Sequence, residues 1–150
     1  MRLLRVLSVL IVIVFSASCK QDLNTTILSN KDVVLDGTQE VPAKLGAGNG
    51  TMDLAYNRST RTLTYTVRWN SLSGNIIGMH IHGTAAKGFS AGIVQNFSGY
   101  STALSGSFSG TFFVDGVAVK EEDLLRGGYY LNIHTPLNPG GEIRGQIVVK

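Results

Sequence analysis

From about residue 33 onward the chain is written almost wholly in short runs rich in Val, Ile, Thr, Tyr and Phe, broken by Gly and Asn. Runs of that length and composition make strands, and they are too short and too β-branched to make helices. Eight stand out, near 33–36, 50–57, 62–70, 76–83, 92–97, 105–114, 129–135 and 142–149. They predict an all-β domain over residues 33–150, a Greek-key β-sandwich or barrel of about eight short antiparallel strands. The turns have a chemical basis. Asn57-Arg58-Ser59-Thr60 separates two alternating runs as a hairpin would, and Asp115-Gly116 tolerates the positive φ of a tight turn. One short helix is expected at 120–126, with acids at its start, Arg126 at its end and Gly127 to close it.

The N-terminus has a different grammar. Met1-Arg2-Leu3-Leu4-Arg5 is basic, Val6 to Phe15 is apolar apart from Ser8, and Ser16-Ala17-Ser18 leads into Cys19. Basic, apolar and small-residue segments in that order define a secretory signal over residues 1–18. The apolar stretch falls well short of the roughly 20 residues that span a bilayer. Small residues running directly into the chain's single cysteine resemble the lipobox of bacterial lipoproteins, although Ser16 stands where such boxes usually carry Leu. That resemblance implies acylation of Cys19, in the manner of a palmitate-bearing anchor. It also implies a protein tethered to a membrane of the cell envelope, facing the periplasm or the cell surface. Residues 19–32 are polar and without sustained periodicity, and read as a flexible tether.

A single cysteine excludes an internal disulfide, so the domain must be held by its core. The basic balance is a misleading clue, because losing Arg2 and Arg5 with the signal lowers the formal charge from +3 to +1. The remaining Lys and Arg are scattered, and a nucleic-acid partner is not expected. Phosphate-cradling glycine loops, Gly-x-Ser-x-Gly elbows and paired thiols are all missing from the sequence.

All three histidines fall in two motifs, Gly78-Met79-His80-Ile81-His82-Gly83 and Tyr129-Tyr130-Leu131-Asn132-Ile133-His134-Thr135. Alternation along a strand puts Ile77, Met79 and Ile81 on one face and His80 and His82 on the other. It likewise sets Asn132 and His134 against Leu131 and Ile133, and Glu142, Arg144 and Gln146 against Ile143, Ile147 and Val149. If these strands are neighbours, His80, His82 and His134 gather on the outside of one sheet, with Asn132, Glu142 and Arg144 around them. Three imidazoles with an open position suit copper or zinc better than calcium or magnesium. Two other readings stay open. The rings would equally serve as hydrogen-bonding partners of loop carbonyls, with Glu142 and Arg144 paired to each other, or as acid–base groups without a metal.

Leu35-Asp36-Gly37-Thr38-Gln39-Glu40-Val41-Pro42, Met79-His80-Ile81-His82-Gly83, Tyr130-Leu131-Asn132-Ile133-His134-Thr135 and Gly140-Gly141-Glu142-Ile143-Arg144-Gly145-Gln146 together resemble the CHRD domain, a family named from chordin. The resemblance covers about residues 33–149 and implies a β-sandwich but little about activity; the chain as a whole reads as a binding or structural module, with a protein or a metal ion as its ligand, rather than an enzyme. A narrower resemblance is to copper-zinc superoxide dismutase, whose His-x-His strand is similar to His80 and His82. It implies a redox protein, but this chain has no fourth histidine and no disulfide pair.

Overall fold

A computed structural model describes residues 26–150; the expected signal, Cys19 and the start of the tether lie outside the described residues. Eight antiparallel strands and one short helix form the domain: β1 Ile27–Asp36, β2 Asn49–Asn57, β3 Thr62–Asn70, β4 Gly78–Gly83, β5 Ile93–Asn96, β6 Gly106–Phe113, α1 Glu121–Leu125, β7 Tyr129–His134 and β8 Ile143–Gln146. They run in one sheet ordered β5-β4-β7-β8-β1-β2-β3-β6, which curls into a nearly closed barrel. Among the described residues no helix is long and apolar enough to cross a membrane.

The two-residue period fixes which side chains fill the barrel. In β3, Leu63, Tyr65, Val67 and Trp69 are buried, while Thr64 and Arg68 face out. β2 answers with Met52, Leu54 and Tyr56, and β4, β7 and β8 add Met79, Ile81, Leu131, Ile133 and Ile143 to the same core. A continuous β2–β3 ladder from Asn49↔Asn70 to Asn57↔Thr62 confirms the expected hairpin.

The seam and the middle of the sheet are joined more sparsely. Between β8 and β1 the ladder has the single pair Asp36↔Arg144, reinforced where Ser29 N–H and the Asn30 amide donate to the carbonyls of Lys150 and Val148. Across the open side, Gln95 Nε2 donates to the Thr111 carbonyl at 3.0 Å and Phe97 stacks on Tyr65 with centroids 5.2 Å apart.

Two expectations need correction. β1 begins at Ile27, so residues 27–32 are strand rather than tether. The polar Ser29-Asn30-Lys31-Asp32 hides this, because a bulge between Asn30 and Val33 breaks the alternation; Asp32 sits there at φ 53° and donates its N–H to Asp53. Ile77 does not share the inward face of Met79 and Ile81: it is 57 % exposed, while Ile76 is buried. β4 starts only at Gly78, and the chain enters it by a turn held by Ile76 N–H on the Thr102 carbonyl and Ile77 N–H on that of His134.

The corrected facing has a measurable consequence. Leu63→Ala, on a fully buried side chain, is expected to lower unfolding free energy by about 2–5 kcal/mol. Ile77→Ala should stay within about 0.5 kcal/mol of the parent, as surface changes do. Urea unfolding followed by tryptophan fluorescence measures both.

Candidate metal centre

β4 and β7 lie side by side in antiparallel register, with Gly78 opposite His134, His80 opposite Asn132 and His82 opposite Tyr130. Because the apolar members of both strands turn into the barrel, Gly78, His80, His82, Tyr130, Asn132 and His134 share the outer face. β8 pairs next to β7 and places Arg144 opposite Asn132 and Gln146 opposite Tyr130 on that face. The sequence-predicted trio therefore meets: one ligand-capable nitrogen from each of His80, His82 and His134 lies within 4.8 Å of the others. Ring centroids are 4.7 Å apart for His80 and His134, 5.6 Å for His80 and His82, and 6.3 Å for His82 and His134.

The face is not a surface, which corrects the expectation that these groups lie exposed on the sheet. His82 and His134 are each 8 % exposed and Arg144 only 1 %, with Asn132, Glu142 and Gln146 also buried; only His80 is half-buried. Loops cover the polar layer and are pinned to it. His82 Nδ1 donates to the Ala91 carbonyl at 3.0 Å, His134 Nδ1 donates to that of Pro139 at 3.0 Å, and Gln146 Nε2 donates to both Ala85 and Gly127 carbonyls. Glu40 lies so close to Gly141 that a Cβ there would come within 2.3 Å of its carboxylate.

These bonds fix tautomers. A carbonyl only accepts, so Nδ1 of both His82 and His134 carries a hydrogen, and each ring in its neutral form turns a bare Nε2 toward the cluster. His134 Nε2 stands 3.0 Å from His80 Nδ1 and 2.9 Å from Asn132 Oδ1. His82 Nε2 is buried with no partner at all. A buried acceptor left without a donor costs about 1–3 kcal/mol. Burial, with the neighbouring histidines second, drives His80 down to about pH 4, and burial lowers His134 despite its bond to Pro139. Both rings are therefore neutral near pH 7, the state that ligates metal. Gly78 makes room, since a Cβ there would meet His80 Cε1 at 2.9 Å.

Glu142 and Arg144 do not pair with each other. They engage different partners. Glu142 accepts from Ser73 N–H at 2.7 Å, Ser73 Oγ at 2.6 Å and Thr135 Oγ1. It therefore ties the loop after β3 to the end of β7, as a structural clamp beside the cluster. Arg144 instead lies 3.4 Å over the Tyr130 ring, which stacks on His82 at an interplanar angle of 2°, and donates to Gln146. A desolvated cation on a ring is worth about 2 kcal/mol, which offsets part of the cost of a guanidinium whose Nη1 has no partner. Glu40 completes this layer, hydrogen-bonded by the Asn132 side chain and facing the Arg144 charge. Tyr130 and Glu40 are the site residues that sequence reasoning missed. Tyr130 has the parity of Asn132 and His134 and was legible by it, whereas Glu40 reaches the site only through the fold of the 37–48 loop.

The arrangement defines a class: an antiparallel β-barrel that carries a cluster of three imidazoles on its outer face, under loops. The profile of the CHRD domain matches residues 32–147, and the chain belongs to that family. No curated protein and no solved structure matches the chain significantly.

The two buried glutamates should give opposite pH signatures. Burial pushes Glu40 up to about 6 against the bonds that lower it, so the fold holds its proton after the unfolded chain, near 4.5, has released it. Its contribution to stability falls as pH rises from 4.5 to about 6. For Glu142, burial also raises the pKa, but the Ser73 and Thr135 hydrogen bonds outweigh it and hold the group below 4.5. Its contribution is present above 4.5 and is lost as pH falls below that value. Denaturant titrations from pH 3 to 7 on Glu40→Gln and Glu142→Gln should show each slope vanish separately.

Proposed function

We propose that this protein is an envelope-tethered CHRD module that binds a transition-metal ion, copper or zinc, through His80, His82 and His134. The observation that carries the reading is the pair of buried rings whose Nδ1–H groups are both committed to backbone carbonyls. That is the outer-shell pattern of metal-ligating histidine, and here it leaves His82 Nε2 with nothing to bond. A purely structural histidine layer would be expected to satisfy that atom. The tether rests on the sequence alone, on the signal-like residues 1–18 and the lipobox-like approach to Cys19.

A redox centre of the superoxide dismutase kind is the second reading. It is favoured by the His80-x-His82 strand and by the partial exposure of His80, which leaves one side of the cluster open to small molecules. Dismutation by the copper-loaded chain above that of free copper separates it from simple binding or storage.

Purified full chain titrated with Zn2+ or Cu2+ should take up one equivalent tighter than the micromolar range, and His82→Ala should lose that binding while remaining folded. Uptake that is absent, or unchanged in His82→Ala, removes the metal reading. For the tether, labelled fatty acid is expected to enter the wild-type chain in cells and not Cys19→Ala. Equal membrane partitioning of both chains, with no label incorporated, would dispose of the anchor.

A further inference from the structure

The contact between Asn132 and His134 is unusual, because two acceptors face each other. His134 has committed its one N–H to Pro139, so its Nε2 presents a lone pair, and the atom 2.9 Å away is the Asn132 amide oxygen. Turning the amide over would bring Nδ2 to the ring, but the Asn132 side chain is held in the other sense: the nitrogen that carries both of its N–H donors is turned to the Glu40 carboxyl. Asn132 is almost fully buried, so water does not relieve the clash of lone pairs. His80 Nδ1, 3.0 Å from the same Nε2, has one hydrogen at most to offer and cannot satisfy both acceptors.

We infer that Asn132 Oδ1 is a fourth donor to the ion held by His80, His82 and His134, with Glu40 orienting the amide. This inference rests on the three-histidine reading above and adds to it the coordination sphere. Lone pairs that repel across 2.9 Å become compatible once a cation sits against both, and donors bound at about 2.0–2.1 Å to one ion lie about 3 Å or a little more apart. Register makes the meeting possible. His80 lies directly across the ladder from Asn132, and His134 is two residues along the same strand and face, so three of the four donors come from one small patch of β4 and β7. His82 Nε2, buried and unpartnered, closes the set from the far end of β4. The chemistry is three imidazoles and one amide oxygen without thiolate or thioether. That favours divalent zinc, copper, cobalt or nickel and disfavours the soft cuprous ion. Asn132 is on this view a ligand, while Glu40 is a positioning residue that acts through it.

The test uses the full chain with Cys19→Ser as the parent, so that a cysteine at position 132 is the only thiol, and Co2+ as the probe. Asn132→Cys loaded with one equivalent should show thiolate-to-cobalt charge-transfer absorption that the parent lacks, because only a side chain touching the ion gives that band. Asn132→Leu should weaken Co2+ binding by about 10- to 100-fold and change the visible ligand-field spectrum. Should the cysteine variant fail to fold by circular dichroism, Asn132→Asp decides, with tighter Co2+ binding expected and weaker binding overturning the assignment. If the parent binds cobalt and loses it in His82→Ala, but the cysteine variant shows no band and the leucine variant binds as the parent does, the fourth donor is wrong and the histidine site stands. If the parent binds no cobalt, both fall together.

Discussion

Everything at this site depends on the pleat of two paired strands. Because β4 and β7 bury Met79, Ile81, Leu131 and Ile133 inside the barrel, their alternate residues have no choice but the outer face. A slip of one residue in that register would drive the imidazoles into the core and the isoleucines out, so the apolar interior that stabilises the fold also aims the histidines. The energetic and the chemical requirements are met by the same ladder.

What the pleat does not provide is burial. Polar groups on the outside of a sheet are ordinarily solvated, and here the 37–48, 84–92 and 135–141 segments exclude water from them. Two of these segments are anchored by side chains of the polar layer itself, 84–92 through Gln146 and His82 and 135–141 through His134 and Glu142. Removing water raises the cost of every unmatched atom, which is why the orphaned nitrogen of His82 and the opposed acceptors at His134 carry meaning that they would lack on an open surface.

Much of this was legible before any coordinates. The strand grammar located all eight strands and the helix, and parity alone assigned His80, His82, Asn132, His134 and Arg144 to one face. The misreadings have local causes. A bulge at Asp32 disguised the first half of β1, and the entry to β4 exchanged Ile76 for Ile77 as the buried residue. Alternation reports direction and is silent about what lies above the sheet, so it left open a reading in which Glu142 and Arg144 pair with each other. The loops instead bring Ser73 to one, and stacking on Tyr130 claims the other.

The side-chain seam of the barrel bears on how the cluster breathes. β5 is four residues long and faces β6 across one hydrogen bond, from the Gln95 side chain to Thr111, and the packing of the adjoining Phe97 on Phe108, in place of a ladder. The loop that leads into β5 carries Ala91, whose carbonyl holds the His82 ring. Local openings of a protein concentrate where backbone pairing is thinnest. The weakest stave of this barrel is thus hinged to the hand that steadies one imidazole, and that ring can meet solvent without waiting for the core to loosen.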